Sequence, residues 1–423
     1  MFWVFVFLLT TFFAPFGQAS SSQGPLPLPV AEPAHATCLA MRKQSVLIMC
    51  LLDSCGGVRT HAFTLYQLLD ELGFNPVMLV LKEARQVREF ALKRKTRFVE
   101  YTCPTTQRAG GVSLGLLERV TATRAFDDFL EKICLRHRVG VVHANFPLEV
   151  PPIRRLKARG TKLKLVYTIH DDSSSWRTNI EGCDGVIGVN PSIVDALCKE
   201  HPERTESFFF CPPTFDERPY VGFSSAEGKD AFFKRKFGID IKGRMVCTIV
   251  ANYFGYKNQR VAVKAFAELV HRHKQPVCLM LAGKGPAGDA LALLVKKLRL
   301  SKHVYLLGYV KEVASLIFHS DLILNTSERD ACPITLMEAA ALRRPIVATR
   351  GTGSNLLVED EVTGLLFHHR QPGELVAAIM RYRKDQDFAA CMAANGRDRV
   401  LAYFSLQATA ARLLQVYGKL GLE

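Results

Sequence analysis

From residue 44 onward the chain alternates short apolar runs rich in β-branched residues with longer stretches whose apolar positions recur at helical spacing. Ten runs read as strands: 45–52, 75–81, 140–145, 164–170 and 185–190 in the first half, then 245–252, 277–283, 304–309, 321–327 and 345–349 in the second. Strands separated by amphipathic helices form parallel sheets with crossover helices. A proline-rich break, "CPPTFDERPY" at 211–220, and a polar stretch to about residue 230 divide the two series. The pattern predicts an α/β fold of two Rossmann-like domains, 41–220 and 221–402, preceded by a leader over 1–40 and followed by a C-terminal segment over 403–423. Ligands of open parallel sheets bind beyond the carboxyl ends of the strands, so a cleft between two facing sets of strand ends is the expected site.

The leader is the one part that departs from this alternation. Residues 2–16, "FWVFVFLLTTFFAPF", are short for a membrane span, and the "GQAS" that follows offers small residues for cleavage, so a signal peptide or a short membrane anchor is the expectation. The run has no Lys or Arg beside it until Arg42, and Met41 opens "MRKQSVLIMCLL", which has the form of an ordinary start. Asn325-Thr326-Ser327 is a glycosylation acceptor beside candidate site residues, which weighs against a lumenal enzyme. The reading favours membrane association on a cytosolic face, with the secretory pathway as the alternative if residues 1–20 act as a signal.

Composition adds a charge argument. The 423 residues carry a net charge of +15, and the first forty contain a single charged side chain, Glu32, so the excess lies on the body of the chain. An anionic partner is implied. Basic runs at 93–97 and 154–164 suit phosphorylated metabolites or an anionic membrane surface. They lack the interleaved aromatic residues of a base-stacking platform, and no helix-turn-helix or zinc-finger spacing occurs, so nucleic acid is excluded as a partner. The twelve cysteines contain no C-x-x-C pair and read as buried thiols.

Candidate chemistry clusters just after strands. Gly56-Gly57 precede an amphipathic helix, where backbone N–H groups can approach a phosphate. Lys257 lies in the loop after the first strand of the second half, suited to neutralising diphosphate charge. "LAGKGPAG" at 281–288 matches G-x-G-x-x-G, yet Pro286 sits inside it and no acidic residue closes the next strand, which disfavours a dinucleotide site. In "NTSERDACPITLMEAAALRRPIVAT", Pro333 suits the first position of a helix whose N-terminus points into the cleft. The backbone from Cys332 through Pro333 and Ile334 to Thr335 then forms an anion site, and Glu338 lies about 7.5 Å further along the axis. That spacing sets a diphosphate on the helix start and lets Glu338 accept from the two vicinal hydroxyls of a ribose. Asp330, in the preceding turn, faces whatever the distal phosphate carries; the alternative is that Asp330 caps the helix and Glu338 lies on the surface.

These residues resemble the retaining glycosyltransferase family 4, of GT-B architecture, and the likeness runs over nearly everything from residue 43 to 423. "DACPITLMEAAA" keeps the spacing of the family's two glutamates, with Asp330 in the first place and Glu338 in the second. The resemblance implies that Asp330 contacts the donor sugar and Glu338 the nucleotide ribose. Of the family's basic pair, Asn252 takes the arginine place and Lys257 remains. "VVHANFP", "YTIHDD" and the glycine-pair loop match in order, placing His170 near the reaction centre. The resemblance makes the first domain the acceptor domain, the second the donor domain, and 403–423 a helix crossing back to the first. It implies transfer of a sugar from a nucleotide diphosphate sugar to a hydroxyl of a glycan or lipid-linked acceptor, with retention, no metal and no cofactor. A sugar-nucleotide epimerase or hydrolase of the same fold, or a non-catalytic nucleotide-binding subunit, are the rival readings. The segment 102–115 and Trp176 are the candidates for acceptor contact.

Overall fold

The computed structural model describes residues 44–52, 56–103 and 113–421, with the side chain of Thr352 left aside. The leader over 1–40 and most of the 102–115 segment lie outside the described residues.

The first sheet holds β1 (Ser45–Met49), β2 (Asn75–Leu81), β3 (Phe98–Tyr101), β4 (Val139–Ala144), β5 (Lys164–Ile169), β6 (Gly185–Gly188) and β7 (Phe208–Phe210). The second holds β8 (Met245–Val250), β9 (Val277–Ala282), β10 (Val304–Gly308), β11 (Leu322–Asn325), β12 (Ile346–Thr349) and β13 (Leu365–Phe367). Every pairing is parallel. The orders are β3-β2-β1-β4-β5-β6-β7 and β10-β9-β8-β11-β12-β13. Two Rossmann-like α/β domains result. Strands covered on both faces must be apolar throughout, and Val46 to Met49 and Val77 to Leu81 are accordingly fully buried.

In both sheets the strand order reverses beside the first strand, between β1 and β4 and between β8 and β11. Connections leaving such neighbours run to opposite faces and open a crevice at the strand ends. Gly56-Gly57, Asn252, Lys257, Asp330 and Glu338 all follow one of these four strands.

The C-terminal helix Leu406–Lys419 packs on the first domain. Its Tyr417 ring meets Phe74 edge-on at 5.7 Å, and the Tyr417 hydroxyl lies 3.0 Å from His143 Nδ1, whose other nitrogen is 2.7 Å from Thr168 Oγ1. The core of the first sheet therefore continues without a break through the helices Ile334–Ala341 and Gln386–Phe404 into this last one. Among the described residues, no helix is long and apolar enough to cross a membrane.

Candidate active site

The loop after β8 is shaped by glycines that were candidates for a nucleotide motif. A Cβ at Gly283 would lie 2.1 Å from the Ala251 carbonyl oxygen and one at Gly285 2.6 Å from that of Tyr253, and both residues sit at φ near +155°. Only glycine permits that approach, so the G-x-G of this chain clamps the 251–253 backbone. Gln259 Nε2 donates to the Asn252 carbonyl at 3.0 Å, and the turn Gly255–Lys257 ends in a left-handed Asn258 at φ 48°. This delivers Lys257 Nζ to 2.6 Å from Asp330 Oδ2, in a pair whose side chains are 17% and 22% exposed. Two further bonds join the loops of β8 and β11: Thr326 Oγ1 donates to the Lys257 carbonyl and Glu328 N to that of Tyr256, each at 2.8 Å.

Helix Ile334–Ala341 begins one residue later than the sequence predicts. Pro333 is its N-cap, extended at φ −74° and ψ 104°, and no side chain caps the helix. Proline has no N–H, so the donors at this terminus are Cys332, Ile334 and Thr335. Asp330 does not cap; its carboxylate goes to Lys257. The Asp330–Ala331 backbone is pressed against Gly353, where a Cβ would stand 1.9 Å from the Asp330 carbonyl oxygen. Thr335 Oγ1 donates to the Val250 carbonyl at 3.2 Å, tying the helix start to the end of β8. Glu338 is partly exposed and accepts a 2.6 Å hydrogen bond from the Tyr220 hydroxyl. Burial of the carboxyl outweighs this donor and pushes its pKa up to about 7.

The first domain meets this terminus directly. A Cβ on Gly57 would lie 3.8 Å from Ile334 Cδ1, so the starts of helices Gly56–Glu71 and Ile334–Ala341 abut. Asn190 Nδ2 donates to the Ala331 carbonyl at 2.9 Å across the same interface. His170, at the end of β5, has Nε2 3.5 Å from Asn145 Oδ1, and its ring stands edge-on to His61 at 4.6 Å and to Trp176 at 6.2 Å. Burial, with His61 and His143 adding to it, holds its pKa well below the usual range, so the imidazole is neutral. The charge of neighbouring Asp171 reaches Tyr256, which also feels Lys257 and Asp330. Asp171, next to His170, and the Lys257–Asp330 pair thus lie near the same side chain, Tyr256.

The chain matches Glycosyltransferase Family 4 over residues 55–206 and the glycosyl transferases group 1 over residues 231–399, together most of its length. The chain belongs to the GT-B glycosyltransferases. Among the relatives of this GT-B chain, alpha-D-kanosaminyltransferase of Streptomyces kanamyceticus is 28% identical over 47% of this chain and 51% of the relative. N-acetyl-alpha-D-glucosaminyl L-malate synthase of Bacillus anthracis is 23% identical over 68% of this chain and 77% of the relative. The chain thus spans about half the length of the first of these relatives and about three quarters of the second. A solved structure of Anabaena HepE in complex with UDP and glucose superimposes with a TM-score of 0.74, 18% identity, and coverage of 89% of this chain and 99% of that one.

Four residues of this GT-B site carry no sequence signal. Tyr220 and Asn190 act across the domain interface. Gly353 makes room for the Asp330 turn. Glu149, fully buried, accepts from the backbone N–H groups of Leu51, Asn145 and Phe146 at 3.1, 2.8 and 3.1 Å, fixing the ends of β1 and β4; burial pushes its pKa up to about 7. The glycosylation acceptor is also reinterpreted: Asn325 is 9% exposed and its Oδ1 accepts from Ser327 N, so it is a turn residue at the end of β11. Among the described residues, no three metal-ligating side chains converge. Concavities of about 450 and 380 Å³ lie at the opposite strand ends, beside Arg138 and Lys302, and hold none of the site residues.

Proposed function

We propose that this protein transfers a sugar from a nucleotide diphosphate sugar to an acceptor hydroxyl, with retention at the anomeric carbon. The observation that carries the reading is the meeting of two helix N-termini at Gly57 and Ile334 beside Lys257, with Glu338 further along the second helix. Backbone N–H groups at such termini and a lysine suit a diphosphate, and charge on it grows as the sugar departs. Glu338 accepts from the ribose, Asp330 from the sugar hydroxyls, and neutral His170 orients the sugar or the acceptor from the opposite wall. Lys257 and the amides supply the countercharge, so the reaction needs no metal. The acceptor is a glycan or a lipid-linked hydroxyl held by the first domain, and the net charge of +15 favours one at an anionic membrane surface.

The Anabaena neighbour's UDP and glucose make UDP-glucose the first donor to test. Purified protein is incubated with donor, with and without candidate acceptors and with EDTA, and nucleoside diphosphate release and sugar products are measured. Transfer that persists unchanged in Lys257→Ala and Glu338→Ala would contradict the assignment. Release without acceptor points instead to hydrolysis, and binding without turnover to a non-catalytic subunit.

A further inference from the structure

Tyr220 lies in the segment joining the two domains, and that segment is fastened on three sides. Arg218 reaches Glu71 of the first domain at 2.9 Å, Glu217 Oε2 accepts from Leu406 N of the C-terminal helix at 2.8 Å, and the Tyr220 hydroxyl donates to Glu338 Oε1 at 2.6 Å. Its ring packs on Phe215 at 5.4 Å. Arg94, which lies 4.6 Å over Phe90 and donates to Gln67 at 2.8 Å, sits close enough for its charge to act on Tyr220 and Asp216. The phenol is therefore a fixed donor, aimed from the linker at the one carboxylate on the helix Ile334–Ala341.

We propose that Tyr220 is the positioning residue that sets Glu338 for the donor's ribose and so makes the site select ribonucleotides over 2′-deoxyribonucleotides. This rests on the reading of Glu338 as the ribose carboxylate. A glutamate's terminal torsion is broad, and a carboxylate free to turn presents its lone pairs in many directions. The bond from Tyr220 occupies one lone pair of Oε1 and fixes the carboxylate plane. That leaves Oε2, and the outer face of Oε1, for two vicinal hydroxyls. The same bond favours the ionised form, which accepts at both oxygens, over the acid, one of whose oxygens becomes a donor. Removing the phenol oxygen loosens the plane while leaving the ring against Phe215 and the linker's other two fastenings in place.

The experiment titrates full-length protein with UDP and with 2′-deoxy-UDP by calorimetry, in the wild type, Tyr220→Phe and Glu338→Gln. A ribose hydroxyl held by a charged acceptor discriminates by about 10- to 100-fold in the wild type. Tyr220→Phe is expected to lower that ratio by about tenfold, mainly through weaker UDP binding, with 2′-deoxy-UDP affected by less than about threefold. In turnover, the donor KM rises more than kcat falls. A merely structural role moves both ligands together and leaves the ratio intact. A ratio unchanged in Tyr220→Phe but lost in Glu338→Gln overturns the role of Tyr220 alone. One unchanged in both variants overturns the ribose reading of Glu338 and the proposal with it.

Discussion

Asp330→Asn is expected to bind UDP more tightly than the wild type while turning over far more slowly. In the structure Lys257 Nζ spends its closest contact, 2.6 Å, on Asp330 Oδ2. A diphosphate that docks on Lys257 must compete with that carboxylate, and it also meets the carboxylate's own negative charge. Unit charges about 4 Å apart interact by about 4 kcal/mol at the effective dielectric of a protein surface. Both side chains retain some solvent access, so screening and the loss of a donor–acceptor pair reduce the net gain on neutralising Asp330 to about 1 to 2 kcal/mol, or about 5- to 30-fold in UDP affinity. Turnover moves the other way if Asp330 holds the sugar as proposed, since loss of one such contact costs about 10²- to 10³-fold in rate. The assay is calorimetric titration of UDP into the wild type, Asp330→Asn, Lys257→Ala and the double variant, at one fixed low ionic strength, with single-turnover donor consumption alongside. The gain must shrink in the Lys257→Ala background, where only the direct repulsion between Asp330 and the diphosphate is left. UDP binding that is weaker in Asp330→Asn, or a gain undiminished without Lys257, refutes the competition.

Three further outcomes follow from the same geometry. Because the Glu338 pKa is raised to about 7 and the proposed ribose contact needs the ionised form, UDP affinity should fall more steeply as pH drops through about 7 in the wild type than in Glu338→Gln, whose remaining pH dependence is that of the UDP phosphate. His61 and His143 are held at about 3 by burial, below their unfolded value, so their contribution to stability is present above about pH 6.5 and lost as pH falls toward 3; the melting temperature should decline through that window, less steeply in His143→Gln. Gly353→Ala should cost about 1 to 3 kcal/mol in chemical denaturation and weaken donor binding by displacing the Asp330 turn, whereas Gly373→Ala, with nothing within 4 Å of the added atom, should be neutral.

The ten strands that the apolar runs predict are all present, with ends trimmed by up to three residues, as at Ser45–Met49. The three that escaped are β3, β7 and β13, each at a sheet edge and only three or four residues long. An edge strand has one neighbour and less cover, so it needs no long apolar run, and "FVEY" and "LLF" give none. The positions of Lys257, Asp330 and Glu338 after strands were legible because parallel sheets present their loops at one end. What they touch was not. The Lys257–Asp330 pair spans 73 residues and the Tyr220–Glu338 bond 118, and no local periodicity encodes such separations. Gly353 was equally silent, since its need for a hydrogen side chain comes from a backbone passing more than twenty positions earlier.

The docking of Leu406–Lys419 on the first domain bears on how the chain is made. His143 waits for its partner Tyr417 across 274 residues, about 14 to 55 s of ribosome travel at about 5 to 20 residues per second. During that interval the nascent amino-terminal half has emerged but keeps Phe74 and the imidazole of His143 unsheathed. Completion of its hydrophobic face therefore waits on synthesis of the Leu406–Lys419 helix, and chains truncated before that helix should leave this part of the core uncovered.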